Sequence, residues 1–148
     1  MPGPRLVLTS LVTQVARGVR TALDQRFGEL GLTSQQAGVL LHVSGGTTSP
    51  RKLADLLGTD TAGMTRLVDR LVEKNYLRRL PATVDRRAIT VALTPAGAEI
   101  LPAIKPIFDD VADAITAGVP AEVLPEVVKA LEAMQAAVRP ASPDAEPA

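Results

Sequence analysis

The stretch LADLLGTDTAGMTRLVDRLVEKNYLRRLPATVDRRAITVAL, residues 53–93, decides the fold. Leu53, Ala54, Leu56 and Leu57 form a short apolar helix. Gly58 stops it, as a residue free to take positive φ. Thr59 or Asp60 then caps a second helix through a side-chain oxygen. There Met64, Leu67, Val68, Leu71 and Val72 fall at i, i+3, i+4, i+7 and i+8, which makes one buried face. Thr61, Ala62, Thr65, Arg66, Asp69, Arg70 and Glu73 fall on the other. Two helices joined by a tight glycine turn are a helix-turn-helix.

The residues that follow add a wing. Tyr76 to Leu80 and Ala88 to Leu93 are short, β-prone and apolar-rich, and Pro81 to Arg87 between them combines turn chemistry with two arginines. This is a hairpin with a basic tip. A helix-turn-helix followed by such a hairpin is a winged helix, whose second helix can enter a major groove while the hairpin reaches phosphates or the adjacent minor groove.

Outward from this core, helical spacing continues on both sides. Leu8, Leu11, Val12, Val15, Val19, Leu23 and Phe27 predict one long amphipathic helix from Arg5 to about Gly28, with Gly18 a mild interior weakness. Thr33 caps the next helix, with Gln36 at the capping-box position, and that helix runs to about Val43. Ser44 to Thr48 is a loop or a very short strand. Ser49 caps a helix that has Pro50 at its first position. After the hairpin, Thr94-Pro95 opens another helix, expected to reach about Gly118 and to be bent or broken near Pro102–Pro106, because each proline removes a backbone donor. A last helix starts near Pro120 and carries Val123, Leu124, Val127, Val128, Leu131, Met134 and Val138. The Pro/Ala-rich acidic tail after Pro140 is expected to be disordered.

The ordered set of motifs resembles the multiple-antibiotic-resistance repressor (MarR) family of bacterial regulators. The residues that carry the resemblance are Leu32-Thr33-Ser34-Gln35-Gln36, Leu53 to Leu57, Met64 to Leu71, the wing Asp85-Arg86-Arg87-Ala88, and the exit Leu93-Thr94-Pro95-Ala96-Gly97. The expected fold is mainly α: a winged helix-turn-helix with a small β-hairpin wing, flanked by N- and C-terminal dimerisation helices. The expected layout is a dimerisation helix in 1–31, the DNA-binding domain in 32–97, dimerisation helices in 98–139 and a tail in 140–148.

Composition bounds the function. Net charge is zero, but residues 1–59 carry six Lys/Arg against three Asp/Glu, residues 60–93 seven against four, and residues 94–148 three against nine. Positive charge therefore gathers on the winged helix, where a DNA-binding face needs it. The chain has no cysteine, so no disulfide framework and no thiol that senses oxidants. Its one histidine, His42, cannot build a usual structural zinc site without cysteines. No metal site, cofactor or catalytic group is expected: no nucleophile–base pair or glycine-rich phosphate loop is present. No apolar run approaches the ~20 residues of a membrane span, and no signal peptide is read at the N-terminus. A cytoplasmic protein is expected.

The candidate DNA-binding residues follow from the two elements. Arg66 can reach guanine or grip phosphate, or else pair with Asp69 or Asp85. Thr61 and Thr65 can touch phosphate or a thymine methyl, or serve only the helix start. Arg70 shares the exposed face. Arg86, at the wing tip, is the strongest candidate, since an arginine on a thin hairpin can enter a narrow minor groove. Asp85 is placed to orient Arg66 or Arg87. Arg87, Arg79, Arg78, Arg51 and Lys52 are expected at phosphates, which add affinity and little sequence choice.

Broad apolar stripes on the first and last helices are buried most easily if two chains interleave them. The resemblance implies the same: a homodimer joined through its terminal helices. Two-fold symmetry then presents two recognition helices roughly 34–36 Å apart to a pseudo-palindromic site on double-stranded DNA. The resemblance also implies a repressor released by a small aromatic or phenolic acid bound between the dimer helices and the winged helix. Gln14, Arg17 and Arg20 are the candidates for holding it, with His42 either beside them or simply half-buried. Two other readings remain: a regulator with no small-molecule effector, or a winged helix that serves as a protein-interaction module. The second would carry a neutral recognition face, and the arginines speak against it.

Overall fold

The computed structural model describes residues 1, 3–83 and 87–139 of the 148. The chain divides into two compact units, Met1–Ala112 and Asp113–Ala148.

The first unit begins with α1 (Pro4–Gly28), a helix uninterrupted at Gly18. Only its C-terminal end enters the core: Phe27 is fully buried, and every residue from Pro4 to Gly18 is exposed. Next, α2 (Ser34–Ser44) starts on the expected reciprocal cap. The Gln36 amide donates to Thr33 Oγ1 at 3.2 Å, and the Thr33 amide donates to Gln36 Oε1 at 3.1 Å. Two orphan donors of the first turn are thereby satisfied. Ser49 caps α3 (Pro50–Leu57), and Gly58 ends it at φ 64°. Of the two candidate caps for α4 (Thr61–Glu73), Asp60 takes the role: Oδ1 accepts from the Gly63 amide at 2.6 Å.

Asn75 turns the chain at φ 61° into β1 (Leu77–Leu80), which pairs antiparallel with β2 (Thr90–Leu93) in the register Leu77–Leu93 to Leu80–Thr90. Residues 44–48 form no strand; a single bond from the Val91 amide to the Thr48 carbonyl, 3.0 Å, holds that loop beside β2. The core of this unit draws on each of its helices and both strands: Phe27, Leu40, Leu53, Met64, Val68, Leu71, Leu77, Val91 and Ile104. The Phe27 ring meets the Phe108 ring with centroids 4.9 Å apart, a tilted pair within the favourable range.

Of the bend or break expected near Pro102–Pro106, the break is absent. Helix α5 (Pro95–Thr116) runs through both prolines. They are four residues apart and both exposed, whereas Ile104, Ile107 and Val111 are buried. The carbonyls deprived of a donor therefore lie on the solvent side, where water satisfies them, and the apolar face packs undisturbed.

The second unit holds the end of α5, a 3₁₀ turn at Ala121–Val123 and α6 (Leu124–Val138). No residue of α6 is fully buried, and Val127, Val128 and Leu131 are exposed. The expected disordered tail, residues 140–148, lies outside the described residues. Among the described residues no helix is long and apolar enough to cross a membrane.

Candidate nucleic-acid interface

Helix α4 has two chemically distinct sides. Met64, Val68 and Leu71 are buried, and Leu67 and Val72 pack partly buried against the same core. Thr61, Ala62, Thr65, Arg66, Asp69, Arg70 and Glu73 are all exposed. The apolar side locks α4 onto α3, α2 and β1, so the polar side is a rigid display. Fixing side chains on a regular element in this way lowers the ordering cost when they meet a ligand.

The exposed groups differ in how far they are already engaged. Thr65 Oγ1 donates back to the Thr61 carbonyl at 3.0 Å, which leaves its oxygen lone pairs facing out. Arg70 bridges to Glu73 at 3.4 Å with both side chains mostly exposed; such a pair is weak and easily exchanged for phosphate. Arg66 makes no ion pair among the described residues. Its two local alternatives, Asp69 and Asp85, fare differently. Asp69 instead accepts from Arg79 of β1, and Asp85 lies outside the described residues.

On the hairpin, Arg78 and Arg79 are exposed on β1, and Arg87 is exposed where the chain returns toward β2. Arg86, the strongest sequence candidate, and Val84 also lie outside the described residues. Arg51 and Lys52 are exposed in the first turn of α3. The α4 face and the strand arginines are thus joined by the Asp69–Arg79 ion pair. Sequence reasoning placed Asp69 beside Arg66 and did not see this pair; partners ten residues apart across a turn leave no periodic signal.

The four ligand candidates are not drawn together by any hydrogen bond or ion pair to one another. Arg17 and Arg20 are exposed on α1. Gln14 donates to Ser10 at 2.9 Å and, with Leu6, Val7, Ser10 and Leu11, lines a shallow depression of about 400 Å³ whose described walls all come from α1. His42 is half-buried near the end of α2, where its backbone carbonyl accepts from Gly45 and Thr47.

A helix pair closed by a left-handed glycine, a display helix held by its apolar side and an antiparallel hairpin define a winged helix-turn-helix protein. A MarR family model matches residues 30–88. The multiple antibiotic resistance protein MarR of Salmonella typhimurium is 34% identical over 94 residues, which make up 63% of this chain and 65% of that protein. The match thus spans a little under two thirds of that relative. A mutant MarR from Escherichia coli, solved in complex with operator DNA, superposes with a TM-score of 0.75 at 27% identity and covers 86% of this chain and 92% of its own. CouR from Rhodococcus jostii, solved bound to p-coumaroyl-CoA, has a TM-score of 0.79 at 23% identity over 86% of this chain and 91% of its own, a likeness of fold.

Proposed function

We propose that this protein is a homodimeric transcriptional regulator that binds double-stranded DNA in the cytoplasm, a repressor of pseudo-palindromic operators released by a small organic ligand. The observation that carries the reading is the exposed face of α4, where Thr61, Thr65, Arg66 and Arg70 stand clear of the core on a helix immobilised by its other side. That face matches what a major groove requires: a helix of suitable width with short hydroxyls and guanidinium groups aimed outward. Arg86 at the wing enters the minor groove, and Arg78, Arg87, Arg51 and Lys52 hold phosphate. The operator-DNA complex of the Escherichia coli relative supports the same reading.

The dimer rests on unpartnered apolar surface. Leu6 (64% exposed), Leu11 (52%) and Val15 (56%) lead a run along the first half of α1. Val127, Val128 and Leu131 do the same on α6. Contiguous apolar patches of this kind mark an interface. Labour is then divided between dimerisation in residues 1–31 and 98–139 and DNA binding in 32–97. The ligand class is a phenolic or other aromatic acid, its carboxylate held by Arg17 or Arg20 with Gln14 and His42 nearby. A ligand that favours a dimer with mis-spaced recognition helices weakens DNA binding by its differential affinity for the two states.

The test is fluorescence anisotropy on the DNA upstream of the protein's own gene, titrated across salt, with wild type beside Arg86→Ala. Tight binding with a steep salt slope, weakened in the variant, is expected. Absence of selective binding to that DNA and to a random-sequence pool would sink the regulator reading in favour of a protein-interaction module.

A further inference from the structure

Asp69 is the one carboxylate among the seven exposed residues of α4 that lies between two candidate DNA-reading arginines, three residues after Arg66 and one before Arg70. A carboxylate on a surface that meets phosphates is a liability, because like charges repel. It is also a trap. On a helix, Arg66 and Asp69 are i,i+3 neighbours, the spacing at which side chains meet. Left alone, Asp69 would draw the Arg66 guanidinium along the helix and away from the groove. The structure shows another arrangement. Asp69 Oδ1 accepts from Arg79 Nη2, a residue of β1, and Arg66 makes no ion pair among the described residues. The two paired side chains keep 49% and 37% of their surface in solvent, so the bond itself adds little stability.

We infer that Arg79 is a positioning residue and not a DNA contact: it neutralises Asp69 on the exposed face of α4 and so leaves Arg66 free to face DNA. The inference rests on the DNA-binding reading above and specifies how its central arginine is kept available. It also gives the wing strand a part in recognition independent of the hairpin tip, since moving β1 away from α4 returns Asp69 to Arg66.

A double-mutant cycle on the full-length protein tests it, with anisotropy on the protein's own upstream DNA and thermal melts of each variant. Arg79→Ala is expected to weaken binding about fivefold, the scale of one uncompensated charge a few ångströms from a phosphate in water. Adding Asp69→Asn to it is expected to restore wild-type affinity and wild-type salt slope, because the trap is gone. Arg79→Lys, which keeps the ion pair, is expected to bind as wild type. In the Arg79→Ala background, Arg66→Ala is expected to cost less than in wild type, because Arg66 is already sequestered; a merely structural role for Arg79 would not change that cost. The inference is overturned if the double variant stays as weak as Arg79→Ala with a salt slope lower by about one, since that is the signature of a lost phosphate contact. It is overturned equally if Arg79→Ala binds as wild type. Failure of wild type to bind DNA at all is a different result and refutes the parent reading as well.

Discussion

The carbonyl oxygen of Tyr76 occupies the place that a side chain on Gly97 would need: a β-carbon built there falls 2.1 Å from it. Around this contact the start of α5 is clamped to the turn before β1. The Thr94 amide donates to the same Tyr76 carbonyl at 3.1 Å, the Thr94 hydroxyl donates to the Asn75 carbonyl, and its oxygen accepts from the Gly97 amide at 3.0 Å. The Leu93-Thr94-Pro95-Ala96-Gly97 exit is thus a joint that fixes where α5 leaves the winged helix. Gly97→Ala must push the two backbones apart and is expected to cost about 1–3 kcal/mol of stability, in the range of overpacking a filled site. Urea unfolding at one fixed protein concentration checks it; an unchanged midpoint would show that the joint is slack.

The cap of α4 carries a second prediction. Asp60 Oδ1 satisfies the Gly63 amide; Thr61 lies in the turn that this bond closes, and Thr65, bonded back to the Thr61 carbonyl, follows it directly. Asp60→Ala is expected to lose about 1 kcal/mol, and Asp60→Asn far less, because an amide oxygen caps nearly as well. DNA affinity should fall with the first change and hold with the second. Loss in both would assign the carboxylate charge a role beyond capping.

The prolines of α5 carry a third. Since Pro102 and Pro106 sit exposed in a helix that continues through them, replacing either with alanine restores a backbone donor to a helix already formed. The lost helix bond outweighs the stiffness that proline lends the unfolded chain, so each change should raise stability by about 1–2 kcal/mol. A drop in the melting temperature would mean that the proline ring is packed, against its exposure here.

These elements differ in how legible they were. The faces of α4, the reciprocal Thr33–Gln36 cap and the Ser49-Pro50 start are local: periodicity and caps involve residues within one or two turns, so the chain states them directly. The sequence left α5 open between a bend and a break because proline spacing alone does not give the facing of the rings; only the packed position of Ile104 and Ile107 shows that both rings point to water. Contacts between elements were silent. Lys74 Nζ reaching the Gly31 carbonyl, Thr48 bonded to Val91, and Arg79 on Asp69 each join residues that no pattern couples. The candidate interface was legible as a set of residue types, and its internal wiring was not.

Dimerisation gives a fourth prediction, tied to the proposed function. Leu11 is half exposed in the middle of the apolar run on α1, away from the core formed around Phe27. Leu11→Glu should leave the winged helix folded and split the dimer, read as a halved mass by sedimentation at concentrations where wild type is dimeric. Burying a carboxylate in an apolar interface is opposed strongly enough to prevent association. DNA affinity should fall with it, since one recognition helix reads too few bases. A monomeric wild type, or an undisturbed variant dimer, removes α1 from the interface.

The last prediction separates reading from gripping. Arg66 and Lys52 are both exposed cations, but Arg66 stands on the display face of α4 and Lys52 in the first turn of α3. If Arg66 forks onto a guanine edge, Arg66→Ala should lose about 1–3 kcal/mol on the operator and little on unrelated DNA, which collapses the specificity ratio. Lys52→Ala should weaken both DNAs alike and lower the salt slope by about one, as loss of a single phosphate contact does. The comparison must be made at matched ionic strength, because a change of salt alone alters the two affinities by more than either substitution. Should Arg66→Ala weaken both DNAs equally, Arg66 is a phosphate contact, and the sequence preference of the protein has to come from Thr61, Thr65 and the wing.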